Sequence, residues 1–363
     1  MKNKEEIYNI LDCDSKRIMI LRGILALMVV NIHAVNTEVH FLTGDVVWSS
    51  SIWIDSIEYL FSQIISRIAV PAFYFISAIL LYKNEFVWSS NIRKQLKKNV
   101  IPYLLFNSIW IFIFYVLQLI PKLSAFFTMP EYLVQKWGMR EWLHAYGLGA
   151  IPIVSPLWFL RDLFILNVFA KILKQIVSIK PNVIVTIVVL FWLSPFDIDI
   201  LLVDKQAICF WVLGCYFVCT KRHICLVDTI HMNILAPIYF VLVICDLFTR
   251  AMNCNCLIHN FGVLVGLIFW FKVALRIFQM NNIITKLLGL LSTYSFNIYL
   301  LHQLSLNCIN KVYARVCPTT PLFQIVGYVV NPCLIICACV VFSIIMKKYC
   351  NKLYNLLFGV VKS

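Results

Sequence analysis

Apolar runs of bilayer-crossing length return along the whole of this 363-residue chain, and they constrain it more than anything else in the sequence. A helix of about 20 apolar residues crosses a hydrocarbon core of about 30 Å. Hydrophobic residues make up 61% of the chain and mean hydropathy is +0.85, far outside the range of soluble domains. We read an all-α, polytopic membrane protein of about ten transmembrane helices, each apolar run forming one span of about 20 residues. They cover residues 18–38, 58–82, 99–120, 156–175, 182–197, 206–220, 233–249, 257–278, 287–309 and 323–346. No polar stretch exceeds about 35 residues, too short for a separate soluble domain. The chain therefore reads as one domain over 1–363, with tails at 1–17 and 347–363 around a bundle at 18–346. The N-terminus has no signal-peptide cleavage pattern, so the first run reads as a retained span.

The net charge of +14 would suit a nucleic-acid binder, but its distribution does not. Basic residues gather at alternate ends of the runs. Lys16 and Arg17 precede the first, Lys83 and Arg93–Lys98 separate the second and third, and Lys171 and Lys174 follow the fourth. Lys221 and Arg222 follow the sixth, and Lys347, Lys348 and Lys352 follow the tenth. Asp45, Asp55, Glu58, Glu131, Glu141, Asp197, Asp199 and Asp204 fall on the other side. By the positive-inside rule both termini are cytoplasmic, in the inner membrane of the cell. Most of the fourteen cysteines lie within apolar runs, as small hydrophobes. None has metal spacing, so no metal site is expected. Cys254, Cys256 and Cys317 fall in outer loops and leave a disulfide open.

The first run, SKRIMILRGILALMVVNIHAVN, carries Arg22, Asn31, His33 and Asn36. Arg22 and His33 are eleven positions apart, roughly three helical turns and roughly 16 Å along an axis. On one helix they share a face. Charged and titratable groups in a span are costly and usually serve a wet cavity or a partner. Against this stands a plain reading, in which Arg22 snorkels to the surface and His33 is a hydrogen-bonded packing residue.

Four further stretches carry chemistry. In PAFYFISAILLYKN, Pro71 frees backbone groups and Ser77 can help satisfy them. In NIRKQLKKNVIPYL, Arg93, Lys94, Lys97 and Lys98 make two i, i+4 pairs ahead of Pro102. That cluster suits the phosphates of a nucleotide-like donor, or anionic lipid. In PLWFLRDLFILNVF, Trp158 suits an interface and Arg161 can snorkel. Asp162 is adjacent to Arg161, points about 100° away and calls for another partner. In STYSFNIYLLHQLS, Ser295, Tyr299, His302 and Gln303 form a polar stripe. The segment 121–155 is rich in aromatics, among them Phe126, Phe127, Tyr132, Trp137, Trp142 and Tyr146. It reads as an interfacial belt or as a sugar platform.

In order, Arg22-x10-His33, PAFYFISAILL, the basic run before IPYL, LWFLRDL and YSFNIYLLH resemble the integral-membrane acyltransferase family 3, in its stand-alone form. The resemblance covers almost the whole chain. It implies acyl transfer, usually of acetyl from acetyl-CoA, to a hydroxyl of a cell-surface polysaccharide or its lipid-linked precursor. It also implies that Arg22 and His33 are functional. The family's usual Arg-x3-Arg before the third span is only partly kept, as Lys94-x3-Lys98 or Arg93-x3-Lys97. On this reading His33 is the general base, since imidazole takes a proton near neutral pH. Arg22, Arg93, Lys94, Lys97 and Lys98 hold the acyl-CoA donor. Ser77, Trp158, Arg161, Asp162, Tyr299 and His302 are further candidates. No bound cofactor, no nucleic acid and no metal enter the scheme; the partners are acyl-CoA, a glycan acceptor and membrane lipid. A transporter or flippase using the same buried Arg, His and Asp is the alternative. A structural lipid-binding protein would leave those residues unexplained.

Overall fold

A computed structural model describes residues 2–41, 44–47, 52–83, 87–124, 132–195, 202–318 and 320–360, without the side chains of residues 2–13, 38, 40, 41 and 44–47. Phe126, Phe127, Glu131, Asp197 and Asp199, and the side chain of Asp45, lie outside the described residues. Among the described residues, the regular structure is helical apart from one hairpin. In order it runs α1 (Lys2–Ile32), the hairpin β1 (Glu38–Phe41) and β2 (Gly44–Val47), then α2 (Ile52–Tyr82) and α3 (Trp88–Gln118). Next come α4 (Met139–Ala145), α5 (Trp158–Val168), α6 (Ala170–Ile179), α7 (Pro181–Leu193) and α8 (Lys205–Cys219). The rest is α9 (Met232–Thr249), α10 (Asn255–Met280), α11 (Ile283–Thr293), α12 (Ser295–Val316), α13 (Pro321–Tyr349) and α14 (Asn351–Leu357).

Among the described residues, five helices are long and apolar enough to cross a membrane: α2, α3, α9, α10 and α13. The count rises to seven if α6 with α7 and α11 with α12 each form one bent crossing. The chain is thus a membrane protein, with fewer full-length apolar helices than the ten runs led us to expect. The first run stops at Ile32 instead of residue 38, and its helix continues backwards into the charged N-terminal residues. The fourth run is broken at Phe169. Between α6 and α7 the chain turns by 115° at Lys180–Pro181. Proline starts α7, and the residue before a proline is disfavoured in helical geometry. The ninth run is two helices with Tyr294 between them.

The chain divides into two compact units. The first comprises residues 1–32, 59–91 and 165–295. Here Leu21 and Leu25 of α1 are fully buried, and Gly23 lets α1 cross α11 closely. A Cβ at Gly23 would overlap the Leu288 carbonyl. Likewise a Cβ at Gly214 of α8 would sit 2.6 Å from the Phe75 oxygen and 2.7 Å from Ala78 Cβ of α2. Small residues at such crossings are how membrane helices gain dispersion contact without a hydrophobic drive. The Tyr82 hydroxyl donates to the Ala170 carbonyl at 2.8 Å and accepts from Trp211 Nε1 at 3.2 Å.

The second unit comprises residues 33–58, 92–164 and 296–363. Its core joins Tyr103 and Phe106 of α3, Leu157 and Leu160 around the start of α5, Leu300 of α12, and Tyr354 and Phe358 at the C-terminus. Asn107 braces it, with Oδ1 accepting from the Val154 amide at 3.2 Å and Nδ2 donating to the Tyr103 carbonyl at 2.9 Å. The aromatic segment packs back on α3 through Ile111, Val134 and Ala145. The Ser108 and Tyr146 hydroxyls are 2.7 Å apart.

Candidate active site

His33 is not on the helix that carries Arg22. Helix α1 ends at Ile32, and His33 begins the second unit, one residue later. The helical face that carries Arg22 thus reaches Ile32, and His33 follows directly on the end of the helix. Polar partners end the helix early: the Ser62 hydroxyl donates to the Asn31 carbonyl at 2.6 Å, and Asn31 Nδ2 donates to Ser66 Oγ at 3.1 Å. The first takes up a carbonyl that another helical turn would have used.

Within the second unit, His33 meets His302 of α12, with ring centroids 5.2 Å apart and planes tilted by 46°. His302 is fully buried and His33 half-buried. His302 Nδ1 lies 2.9 Å from the Tyr299 carbonyl and 3.1 Å from the Ile298 carbonyl. A carbonyl only accepts, so Nδ1 carries the hydrogen and Nε2 is left as a lone-pair acceptor. Nε2 is buried and has no hydrogen-bond partner. Tyr299 backs this ring at 6.3 Å and is itself held, its hydroxyl donating to the Pro156 carbonyl and its ring meeting Phe159 edge-on at 5.6 Å. Gln303 Nε2 donates to Ser155 Oγ at 2.6 Å. The stripe read on the ninth run thus supplies a buried imidazole braced from both sides.

The same unit holds a polar cluster that the sequence reading did not assemble. The Asn36 amide donates to Glu58 Oε2 at 3.2 Å, and Asn36 Nδ2 donates to the Gln324 carbonyl at 3.0 Å. Asn36, Glu58 and Gln324 are all buried. Asn36 Oδ1 and Glu58 Oε1 lack partners, and the Gln324 side-chain amide faces the Glu58 carboxylate. Unpaired polar atoms at that burial are costly, and water or a ligand hydroxyl would satisfy them. The only sequence signal was polarity inside apolar runs, and Glu58 read simply as an outer-side charge.

Arg161 and Asp162 pair after all. Nε and Nη2 of Arg161 lie 3.2 and 3.1 Å from Asp162 Oδ1, and Nη1 donates to the Gly147 carbonyl at 2.8 Å. The expectation that neighbours 100° apart stay separate ignored the length of arginine, which folds back around its own first helical turn. Asp162 is fully buried, and Arg161 is bound rather than snorkelling. Trp158 is half-buried at the start of α5.

Arg93, Lys94, Lys97 and Lys98 are exposed on α3. The turn Leu96–Val100 is π-helical, so four residues fall short of a full turn there and the expected i, i+4 alignment of the cations is only approximate. The C-terminal segment packs on this stretch, with Gly359 against the Lys98 backbone. In the first unit, Arg22 Nη2 donates to Ser295 Oγ at 2.9 Å, and that hydroxyl donates to the Ser292 carbonyl at 2.9 Å. Ser295 is committed to Arg22, and Ser77 is half-buried in α2 of the same unit. Cys254, Cys256 and Cys317 are free. Among the described residues no group of His, Cys, Asp or Glu is placed to hold a metal.

A helical membrane protein with an imidazole pair in one unit, one member fully buried, and a hydrogen-bonded arginine within an apolar run in the other is the class these features define. The chain belongs to the acyltransferase domain family, whose match runs over residues 16–348. It is also similar to the succinoglycan biosynthesis protein ExoH of Rhizobium meliloti (strain 1021), at 25% identity over 161 residues. That match covers 43% of this chain and 42% of the relative, so the chain spans less than half of the relative's length. No solved structure matches this chain.

Proposed function

We propose that this protein is an O-acyltransferase of the cytoplasmic membrane. It moves an acyl group, most simply acetyl, from a cytoplasmic acyl-CoA to a hydroxyl of a cell-surface polysaccharide or its lipid-linked precursor. Family membership and the succinoglycan relative support the reading. The observation that carries it is the His33–His302 pair, 5.2 Å between rings, in which a half-buried imidazole meets a fully buried one of fixed tautomer. His33 is the member of the pair that a substrate can reach. It takes the hydroxyl proton as the oxygen attacks the thioester carbonyl. The new ester C–O bond forms, the C–S bond breaks, and the proton passes from the imidazolium to the departing thiolate. His302, through its Nε2 lone pair, orients His33 and eases its charging, as the third member of a triad does. Arg22 and the Arg93–Lys98 run hold the negatively charged donor. Asn36, Glu58 and Gln324 offer donors and acceptors to acceptor hydroxyls in the unit that holds His33.

The test is mass analysis of surface glycans from cells with and without the gene, paired with labelled acetyl-CoA supplied to the purified protein. Loss of acetyl increments in the deletion, restored by the wild type and not by His33→Ala, is expected. Unchanged glycans together with no label transfer would overturn the assignment.

A further inference from the structure

Within the first unit, a cavity of about 250 Å³ opens between α1, the end of α2, and the end of α8 with the turn after it. Its apolar wall includes Ile18 and Ile79, and its charged wall is Lys83, Lys221, Arg222 and His223. Asp14 is the one carboxylate lining it. Lys83, Lys221 and Arg222 are exposed at the mouth of this cavity, Arg222 with its guanidinium over the Tyr216 ring, so the mouth carries three permanent cations against one carboxylate and draws anions. Asp14 is 6% exposed, and its Oδ1 is buried without a hydrogen-bond partner.

The geometry of Lys221 is the second observation. It lies just past the end of α8 with φ +54°, the left-handed region. The Arg222 amide reaches back to the Phe217 carbonyl at 2.8 Å and the Lys221 amide to the Val218 carbonyl at 3.1 Å, the Schellman helix ending. Glycine is favoured at that position, so lysine is held there at a conformational cost. Residues in such backbone states concentrate at functional sites. The following turn is tightly anchored. Arg17, fully buried, donates to the Ile224 carbonyl at 3.4 Å and pairs with Asp228 at 2.5 Å. Lys272 Nζ donates to the carbonyls of Val227, Asp228 and Ile230.

We propose that this cavity binds a phosphate group, with Lys83, Lys221 and Arg222 at its mouth carrying its charge. The volume is below the range of about 300–1,000 Å³ that encloses a whole drug-sized molecule, so it takes one end of a ligand. Two sources carry that chemistry: the nucleotide end of a soluble cofactor and the headgroup of an anionic phospholipid.

The experiment uses the full chain in nanodiscs. In phosphatidylcholine discs, adenosine 3′,5′-bisphosphate is titrated by calorimetry. In discs containing phosphatidylglycerol, native mass spectrometry counts retained lipid. Lys221→Gly suits the left-handed backbone, so it keeps the fold while removing the cation. It should weaken the probe that binds by about tenfold or more, the worth of one charge-assisted hydrogen bond. Adding Lys83→Gln should abolish binding. Nucleotide binding assigns the site to a soluble phosphate; phosphatidylglycerol retention assigns it to the headgroup. If neither probe binds the wild type, or if the double variant binds unchanged any probe that the wild type binds, the proposal is refuted. Neither arm requires turnover, so loss of acyl transfer with phosphate binding intact would refute the proposed function and leave this site standing.

Discussion

At the scale of single residues, the tautomer of His302 sets what the site can do. Its Nδ1–H is spent on two backbone carbonyls, which leaves Nε2 with a lone pair on a ring whose centroid is 5.2 Å from that of His33. Removing His33 should cost about 10²–10⁴-fold in turnover, the usual weight of a general base. His33→Gln keeps a hydrogen bond but cannot take a proton, and should be nearly as inactive as His33→Ala. His302→Asn places an amide donor where Nδ1 was and deletes Nε2. It should insert and fold, lower kcat, and leave the KM of both substrates alone. Steady-state kinetics on the three variants checks this, and near wild-type turnover in His33→Gln would sink the base assignment. The Lys94 and Lys98 pair belongs at this scale too. Replacing both with Ala should raise donor KM and leave acceptor KM unchanged, whereas equal kinetics in a correctly inserted variant would reduce the run to a topology signal.

At the scale of elements, several buried charges hold backbone rather than substrate. Lys272 is nearly buried and caps three carbonyls of the turn after α8. Arg17 holds the same turn from α1. Lys272→Met keeps the volume and leaves those carbonyls unpaired, which should cost about 1–3 kcal/mol of stability. Hydrogen exchange should rise in residues 224–230 and nowhere else in the first unit, and a uniform change would argue against this local role. The apolar runs revealed where helices exist. They did not reveal where these are cut. The cuts at Phe169, Lys180 and Tyr294 depend on proline geometry and on side-chain partners supplied from elsewhere in the chain.

At the scale of the whole molecule, the open quantity is the number of crossings. Charge alternation argues for ten with both termini inside, while five to seven helical segments among the described residues meet the length and apolarity of a full span. Short helices such as α8 cross only if the bilayer thins or other helices cover their ends. Impermeant thiol labelling of intact cells, in a background lacking the native cysteines, separates the cases. A cysteine at Leu143 should label from outside, and one at Gln95 should not. Labelling at position 95 would overturn the cytoplasmic placement of the basic run.

The sequence alone settled what the solvent dictates. In hydrocarbon every backbone group must be satisfied within its own segment, so long apolar runs had to become helices, and the polar residues within them, Arg22, His33, Asp162 and His302, had to find partners. It also carried the family, because motifs keep their order along a chain. Which partners they found was a tertiary matter. Arg22 took Ser295, Asp162 took its own neighbour Arg161, and His33 left its helix to face His302. Lys221 and Arg222 read as ordinary topology charges until the ends of α2 and α8 brought them to one cavity with Asp14 and Lys83. Periodicity fixes the face of a helix; what lies opposite is decided by the packing of other segments, which for Arg22 and His33 come from residues more than two hundred positions away.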